Sequence, residues 1–356
     1  MDEHIDDLSS PNPQGRLYDV AVAGGGAAGL AAAVTLARSL RSVVVIDAGR
    51  QRNLPAHSAH NVLGREGIAP AELIRAGRAE AESYGVRFVD DAVVEAARVP
   101  DGFALTLGSG TPVRARRLLL ATGLVDELPN IAGLAECWGT TVLHCPYCHG
   151  WEVRGQRITV IASGPMAEHQ ALLFGRLSDR VTVVVHGAVL DDAARERLAL
   201  MGIAVIDGPV EAVLADGSDV RAVVVGGVAH EADAVVVGPR MHARAEIFEM
   251  LGGTVSRHPL GTYVDADPTG RTAVDGVWAA GNVRDLSAMV GAASAAGVLA
   301  GAALNVDLLD ADVAVAQSAS VAGLAESRFG GTGTLDGRPD DSSKASRVSA
   351  KTTNND

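Results

Sequence analysis

Two cysteines and a histidine lie together in the segment Cys145-Pro146-Tyr147-Cys148-His149. Thiols separated by two residues on one turn can close a small, reducible disulfide, and a neighbouring imidazole can carry the proton that thiol–disulfide exchange moves. Pro146 restricts the turn and favours ring closure. The whole chain holds only 3 cysteines, and two of them are in this segment. The spacing therefore predicts a redox-active pair formed by Cys145 and Cys148.

The pattern Cys-x-x-Cys-His also describes the attachment site of a c-type haem and one half of a zinc site. Haem attachment requires an exported chain, and the acidic segment 1–7 lacks the apolar stretch of an export signal. A zinc site requires further ligands, and the sequence has no second Cys-x-x-Cys pair. We therefore favour the redox pair over both alternatives and expect no bound metal ion.

Histidines flank the pair, with His144 before the first cysteine and His149 after the second. An imidazolium lowers the pKa of a nearby thiol, whereas a neutral imidazole can accept the proton of an incoming thiol. We predict that both histidines take part in this chemistry, although each could instead be an ordinary surface or hydrogen-bonded residue. Cys137 is interpreted as a plain buried thiol.

A glycine-rich turn, Gly24-Gly-Gly-Ala-Ala-Gly29, follows an apolar strand predicted over 18–23 and precedes a helix predicted over 30–40. In this pattern the first glycine permits the tight turn, the second lets the backbone approach a pyrophosphate, and the third lets helix and strand pack closely. The helix N-terminus supplies N–H groups to the phosphates. Asp47 ends the next strand, predicted over 42–46, where a carboxylate can accept ribose hydroxyls. This context predicts a dinucleotide site.

Two further segments belong beside this turn. The strand Leu118-Leu-Leu runs into Ala121-Thr122-Gly123, which by itself is a common strand end. Next to the first turn, we interpret it as a return of the chain across the cofactor. The polar loop that follows Asp47 and Arg50 contains His57, His60 and Asn61, and we predict that it also runs over the cofactor.

The same order of elements is predicted again downstream. A strand over 157–162, a helix over 166–177, a strand over 181–185 and a helix over 191–201 indicate a second nucleotide-fold half. Its turn is degraded, because Pro165 removes a backbone donor.

The second strand of this half ends at Val185-His186-Gly187, with no acid for a ribose hydroxyl and no arginine pair for a phosphate. Arg176 and Arg180 lie upstream and could contribute only if the fold brought them in. Nicotinamide binding and a decayed, purely structural half remain as alternatives.

The composition limits the class of partner. The 356 residues, 47% of them hydrophobic, suffice for two domains with full cores. A net charge of −13 argues against nucleic-acid binding, because phosphates would not be neutralised. No run of about 18 apolar residues is apparent, so no membrane-spanning helix is expected. With so few cysteines, we predict a cytoplasmic protein.

The order of these motifs resembles the low-molecular-weight thioredoxin reductase family over about residues 17–305, including Ala-Ala-Gly281-Asn282 before a small-residue helix predicted over 289–305. Within that family, residues 144–152 most resemble the dithiol oxidases of microbial disulfide natural products, of the gliotoxin and holomycin oxidase type. Thioredoxin reductases carry an aspartate after the second cysteine, where this chain has His149.

The resemblance implies an α/β fold with two Rossmann-like, three-layer ββα nucleotide-binding domains. The FAD-binding domain is discontinuous, over 17–125 and 246–311, and a NAD(P)H-like domain over 126–245 carries the Cys-x-x-Cys pair. We further predict a disordered leader over 1–16 and a disordered tail over 312–356. The resemblance also implies a homodimer.

The resemblance further implies that Cys148 faces the flavin and Cys145 faces the substrate. Asn282 replaces the usual aspartate, which changes a flavin ribityl contact to an amide. The missing arginine motif makes NADPH use doubtful. The implied FAD contacts are Gly24, Gly26, Ala27, Gly29, Asp47, Ala48, Arg50, Asn53, Asn61, Ala121, Thr122, Gly123, Gly281, Asn282 and Ala292.

These expectations combine into a function. We predict an FAD-dependent dithiol oxidase that forms a disulfide in a small dithiol substrate, with O2 as electron acceptor and His149 as the base. The alternatives are an NADPH-dependent thioredoxin or disulfide reductase, and a flavoprotein that only binds or regulates. Three aromatic residues could line the substrate pocket, namely Trp138, Tyr147 and Trp151.

Overall fold

The computed structural model describes the backbone of residues 15–329 and the side chains of residues 15–320. The chain divides into two compact units, the first ending at Leu308 and the second beginning at Leu309. Almost all of the predicted leader over 1–16 lies outside the described residues.

The first sheet belongs to the first nucleotide-binding half. It contains seven strands: β1 (Leu17–Ala23), β2 (Val43–Ile46), β3 (Arg87–Val89), β4 (Val93–Val99), β5 (Gly102–Leu107), β6 (Pro112–Leu120) and β19 (Val277–Ala279). Their order is β3-β2-β1-β6-β5-β4, with β19 paired to β6. The pairs among β3, β2, β1, β6 and β19 are parallel, whereas β4, β5 and β6 form an antiparallel meander.

Apolar runs explain the centre of this sheet. Val20, Ala21 and Val22 in β1 are 0% exposed. A parallel strand is covered on both faces, so its sequence is continuously apolar rather than alternating. The helices of this half are α1 (Ala27–Arg38) and α2 (Pro70–Ser83). The turn is therefore tighter than predicted, because α1 begins directly after Gly26 rather than near Leu30.

The second sheet repeats this arrangement. Its strands are β8 (Val142–Leu143), β9 (Ile158–Ala162), β10 (Val181–Val185), β11 (Ala204–Asp207) and β15 (Ala234–Val237). They are all parallel, in the order β11-β10-β9-β15-β8. The remaining elements of this half are α3 (Pro146–His149), α4 (Ala167–Phe174), α5 (Asp192–Leu200), and the antiparallel strands β12 (Val210–Asp216), β13 (Asp219–Val225) and β14 (Val228–Glu231). The predicted α/β architecture with two nucleotide-fold halves is confirmed.

The chain passes between the two halves through a pair of antiparallel strands, β7 (Leu124–Glu127) and β16 (Arg240–Ala243). Together with β17 (Ser256–His258) and β18 (Gly261–Tyr263) they form a four-stranded sheet. Helix α6 (Glu246–Met250) follows the return strand. The domain limits at 125/126 and 245/246 stay a prediction, and β7 and β16 are the strands next to them.

The last helix, α7, runs over Val290–Phe329. Its small residues allow close packing on α1, because a methyl group at Gly297 would collide with the carbonyl oxygen of Ala28. The small residues of α7 thus serve a close contact with the backbone of α1. A disordered tail is predicted from residue 312, whereas in the structure the helix continues to Phe329. The continuation is rich in alanine, which has high helix propensity. Residues 330–356 lie outside the described residues.

Part of α7, Val290–Ser320, is long and apolar enough to cross a bilayer by length and composition alone, contrary to the sequence-based expectation. In the first unit, however, Ala300, Leu304 and Leu308 are 0% exposed and belong to the core that includes α1. A buried helix of a globular core meets the same criteria, so this stretch is weak evidence for a membrane span.

Candidate active site

The turn between β1 and α1 requires glycine at two positions and is open at a third. Gly24 has a φ of +108°, and a methyl group there would collide with the carbonyl oxygen of Ala121. A methyl group at Gly29 would collide with the carbonyl oxygen of Gly24. At Gly26, the N-cap of α1, no atom lies within 4 Å of a Cβ position. Its backbone therefore faces open space, as a pyrophosphate at a helix N-terminus requires.

A cavity of about 740 Å³ lies against this turn. It brings together sixteen of the predicted site residues: Gly24, Gly26, Ala27, Asp47, Ala48, Arg50, Asn53, Ala121, Thr122, Gly123, His144, Cys145, Cys148, His149, Gly281 and Asn282. The dinucleotide turn and the Cys-x-x-Cys pair, which are more than 100 residues apart in the chain, thus share one cavity.

Three predicted FAD contacts do not line the cavity. Gly29 lies behind the turn, where it packs on Gly24. Ala292 is exposed, and Ala293 lines the cavity instead, because residue 292 is on the other face of α7. The side-chain amide of Asn61 donates a hydrogen bond of 2.8 Å to the carbonyl oxygen of Tyr147. Asn61 therefore connects the polar loop to the Cys-x-x-Cys helix.

The cavity suits FAD at one further point. Asp47 lines it at the end of β2, where its Oδ2 accepts a hydrogen bond of 2.7 Å from Gln51. The amide of Asn282 donates to the carbonyl oxygens of Asp285 and Ala288, at 2.9 and 3.0 Å. The asparagine thus holds the loop before α7. The open turn, the strand-end carboxylate and the cavity volume together fit a bound dinucleotide.

Cys145 and Cys148 flank the first turn of α3 as free thiols, with their sulfur atoms 2.7 Å apart. The thiol of Cys148 donates a hydrogen bond that lowers the pKa of Cys145 to about 7, with backbone N–H groups helping and burial opposing. The pKa of Cys148 is raised, first because ionisation would forfeit this hydrogen bond and then because of burial. Near neutral pH, the reduced pair therefore holds its thiolate on Cys145.

Arg52 lines the same cavity and was missed by the sequence analysis. Its guanidinium donates two hydrogen bonds to the carboxylate of Asp126, at 2.7 and 2.6 Å. The Asp126 side chain is only 6% exposed. The guanidinium also contributes to lowering the pKa of Cys145. The arginine lies in the predicted cofactor loop, but no local spacing points to a partner 74 residues away.

His149 lines the cavity beside the thiols, and its Nε2 is buried with no hydrogen-bond partner among the described residues. Burial lowers its pKa most strongly; nearby His60 and His57 act in the same direction and Glu152 acts against it. The ring is therefore neutral near pH 7, where it can accept a proton from a thiol. These properties are those expected of the predicted base.

His144 is held differently. The amide of the buried Gln170 on α4 donates to the carbonyl oxygen of His144 at 2.9 Å and lies 3.2 Å from its Nδ1. Burial is the main cause that lowers the pKa of His144. The ring lines the cavity as a neutral, tethered imidazole, and its part in the chemistry stays a prediction.

The three aromatic residues near the thiols separate into two groups. Trp138 lines the cavity, whereas Tyr147 and Trp151 are 61% and 66% exposed on the outer surface. The predicted aromatic lining is thus limited to Trp138 in the described cavity. Cys137 is 0% exposed, which confirms its interpretation as a buried thiol.

The turn between β9 and α4 shares the open glycine, here Gly164, but the strand after α4 is followed by His186 rather than by a carboxylate. The hydroxyl of Ser163 is buried without a hydrogen-bond partner, and Pro165 supplies no N–H group. His186 follows β10, and its Nδ1 accepts a hydrogen bond of 2.9 Å from the backbone N–H of Val210. Arg180 donates to the carbonyl oxygen of Gly155. Each of these polar groups is either used by the fold or buried.

Within the described part of the chain, no group of at least three His, Cys, Asp or Glu side chains is arranged to hold a metal ion.

Comparison with known proteins identifies the family of this chain. Residues 18–301 match the model of the pyridine nucleotide-disulphide oxidoreductase family. The thioredoxin reductase tcpT of Claviceps purpurea is 33% identical over 75% of this chain and 86% of its own length. The thioredoxin reductase sirT of Leptosphaeria maculans is 29% identical over 84% of this chain and 96% of its own.

Among solved structures, HlmI is 39% identical, with a TM-score of 0.82, over 86% of this chain and 98% of its own. The sequence-based resemblance and the expected FAD are confirmed at the level of the family. The chain therefore belongs to the pyridine nucleotide-disulphide oxidoreductase family and is an FAD-dependent oxidoreductase of the thioredoxin reductase type.

Proposed function

We propose that this protein is a dithiol oxidase, which closes a disulfide in a small dithiol substrate and uses O2 as electron acceptor. The observation that carries the proposal is the position of Cys145 and Cys148, whose sulfurs lie 2.7 Å apart in the cavity that Gly26 opens onto. FAD bound there would supply the acceptor for the electron pair of the reduced thiols, with O2 as the final acceptor and H2O2 as its product.

The substrate half of the reaction follows from the thiols and His149. The neutral imidazole of His149 takes a proton from the first substrate thiol, and the resulting thiolate attacks the sulfur of Cys145 in the oxidised pair. The bond between Cys145 and Cys148 breaks, and Cys148 leaves with the bonding electrons. The second substrate thiol then gives its proton to the thiolate of Cys148 and attacks the substrate sulfur joined to Cys145, and Cys145 leaves with the bonding electrons. Two electrons and two protons have left the substrate, whose sulfurs are now bonded.

The pKa of Cys145 supports this direction. Thiol–disulfide exchange is faster when the departing thiol has a low pKa. The last step expels Cys145, whose pKa is lowered to about 7, so the product is released from a good leaving group near neutral pH. An ordinary thiol, with a pKa of about 8.5, would leave more slowly.

The second nucleotide-fold half supports an oxidase over a reductase. Its turn has Pro165, which lacks a backbone N–H group that could bind a phosphate. After the next strand, where a cation would bind the phosphate of a nucleotide, His186 instead accepts a hydrogen bond from the backbone. The likeness of residues 144–152 to dithiol oxidases points the same way. The second candidate is an NADPH-dependent disulfide reductase, which the names of the relatives tcpT and sirT favour.

Anaerobic mixing of the FAD-loaded protein with one reductant at a time separates the two candidates. We expect dithiothreitol to bleach the flavin absorbance within seconds and NADPH to leave it unchanged. Rapid bleaching by NADPH would favour the reductase. In air, Cys148→Ser and His149→Ala should lose dithiol-dependent oxygen uptake, and Cys137→Ala should keep it because that thiol lies outside the cavity.

We also propose a cytoplasmic homodimer. Free thiols persist in a reducing compartment, and Val298, Leu299 and Val306 on α7 are 46%, 56% and 57% exposed, which suits an apolar contact. Light scattering coupled to size-exclusion chromatography should give twice the chain mass of 36.4 kDa. A monomer at micromolar concentration would refute the dimer.

A further inference from the structure

A second histidine lies behind His149, in the polar loop after β2. The ring centroids of His60 and His149 are 6.4 Å apart, with the ring planes nearly perpendicular. The Nδ1 of His60 lies 2.7 Å from a carboxylate oxygen of Glu66, and its Nε2 lies 3.4 Å from a carboxylate oxygen of Glu152. The imidazole of His60 therefore has His149 as its neighbouring ring, Glu66 at its Nδ1 and Glu152 near its Nε2.

We propose that His60 is a positioning residue that acts through His149, by taking up at Nε2 the proton that His149 received from the substrate thiol and giving the proton on Nδ1 to the surface carboxylate of Glu66. This inference rests on the proposed function, because it requires His149 to be the base that deprotonates the substrate. It assigns to the loop residue His60 a role in proton transfer instead of the cofactor contact that the sequence suggested.

The hydrogen bond to Glu66 fixes the tautomer of His60. A carboxylate can only accept, so Nδ1 carries the hydrogen of the neutral ring and Nε2 is left as an acceptor. The Nε2 atoms of His60 and His149 are both buried, and neither has a hydrogen-bond partner among the described residues. These two imidazole nitrogens in adjacent rings are the atoms between which one water molecule can carry a proton.

The burial of the four side chains gives the transfer a direction. His149 lines the cavity, and His60 does not. The His60 side chain is 18% exposed, whereas those of Glu66 and Glu152 are 65% and 40% exposed. A proton taken up at the cavity thus passes through one enclosed ring before it reaches the Glu66 carboxylate in contact with solvent.

The charged groups around the two rings make this route favourable. Glu66 and Glu152 face His60, and His57, Glu152 and His60 face His149. Burial is the main cause that lowers the pKa of His149, so its imidazolium gives up a proton more readily than an exposed one. The pKa of Glu66 is lowered chiefly by its hydrogen bond with His60, which keeps this carboxylate ionised.

The test measures anaerobic flavin bleaching by dithiothreitol in the full-length, FAD-loaded protein as a function of pH. At pH 7 we expect His60→Ala to slow bleaching about tenfold, less than the hundredfold or more ascribed to a general base itself. The deficit should vanish near pH 9.5, where the reductant is already a thiolate. Added imidazole should restore the rate at pH 7. Glu66→Gln should give a smaller loss with the same pH dependence.

The controls separate a relay from a structural role. His169→Ala removes an exposed histidine of α4 outside the cavity and should leave the pH profile unchanged. His60→Gln provides a second variant of similar polarity if the alanine variant retains less FAD. Slowing that is equal at all pH values and insensitive to imidazole would overturn the relay.

Unchanged bleaching in both His60 variants, with His149→Ala slowed, would also overturn the relay and leave the dithiol oxidase intact. Failure of the unsubstituted protein to bleach with any dithiol would instead refute the proposed function itself.

Discussion

The two nucleotide-fold halves have the same order of elements and different turns. In each half a parallel strand leads through a turn into a helix and then to the next parallel strand, β1-α1-β2 and β9-α4-β10. The first turn has the open backbone of Gly26 and ends its next strand at Asp47. The second turn contains the buried hydroxyl of Ser163. The strand after it is followed by His186, which accepts a hydrogen bond from the backbone.

This difference shows that the fold and the ligand site are separable properties. Packing of apolar strands such as β1 and β9 requires only buried side chains, and both halves supply them. Phosphate binding requires in addition a few atoms at the turn, and these differ between the halves. The second half keeps its chemistry elsewhere, in the Cys145–Cys148 pair that it presents to the cavity of the first half.

The equivalent glycines of the two turns, Gly26 and Gly164, provide the strongest test. At both positions no atom lies within 4 Å of a Cβ, so alanine should be tolerated by the fold. We expect Gly26→Ala to weaken FAD binding about 100-fold, or roughly 2.7 kcal/mol, because its methyl group points at the pyrophosphate. Gly164→Ala should leave FAD affinity and dithiol oxidation unchanged. Fluorescence titration of the apoprotein with FAD measures both.

The comparison would be inverted if Gly164→Ala impaired turnover while Gly26→Ala bound FAD normally. Thermal unfolding of the two apoproteins provides the control, since equal midpoints would show that the loss at Gly26 concerns the ligand and not the fold.

The thiols that the second half contributes should differ in reactivity. Because the pKa of Cys145 is lowered to about 7, its thiolate fraction rises about tenfold between pH 6 and pH 8. The pKa of Cys148 is raised, so its sulfur stays protonated over this range. Iodoacetamide should therefore label Cys145 in the reduced protein, with a midpoint near pH 7, as read from peptide masses. Preferential labelling of Cys148 would contradict this assignment.

A substitution just after β10, in the second half, should affect the stability of the protein rather than the binding of FAD. In His186→Ala the backbone N–H of the buried Val210 loses its acceptor, which should reduce the free energy of unfolding by about 1 kcal/mol. FAD affinity should not change. Chemical denaturation measures the first quantity and FAD titration the second. A gain or loss of NADPH affinity in this variant would show that the residue serves a ligand after all.

Local spacing predicted the parts of the site that depend on neighbouring residues. Gly24, Gly29 and Asp47 take their roles from one βαβ unit, and the Cys145–Cys148 pair lies within one turn. These features follow from backbone geometry, so one stretch of sequence is sufficient to recognise them.

Contacts between distant segments could not be predicted in this way. Arg52 with Asp126, and His60 with Glu152, meet only because loops of one half lie against the other. The end of α7 was missed for a different reason. Its polar, alanine-rich continuation is similar in composition to a disordered tail, and helix propensity decided the outcome.

The smallest effect that we expect is at Ser163, in the degraded turn itself. Its hydroxyl is buried without a partner among the described residues, which is a cost that alanine removes. Ser163→Ala should therefore raise the free energy of unfolding by about 0.5 kcal/mol, opposite in sign to His186→Ala. The matched substitution in an exposed turn, Ser109→Ala, should lose hydrogen bonds to Asp91 and Thr111 and gain nothing. If Ser163→Ala instead destabilised the protein, its hydroxyl would have a partner and the second turn would have kept a polar contact.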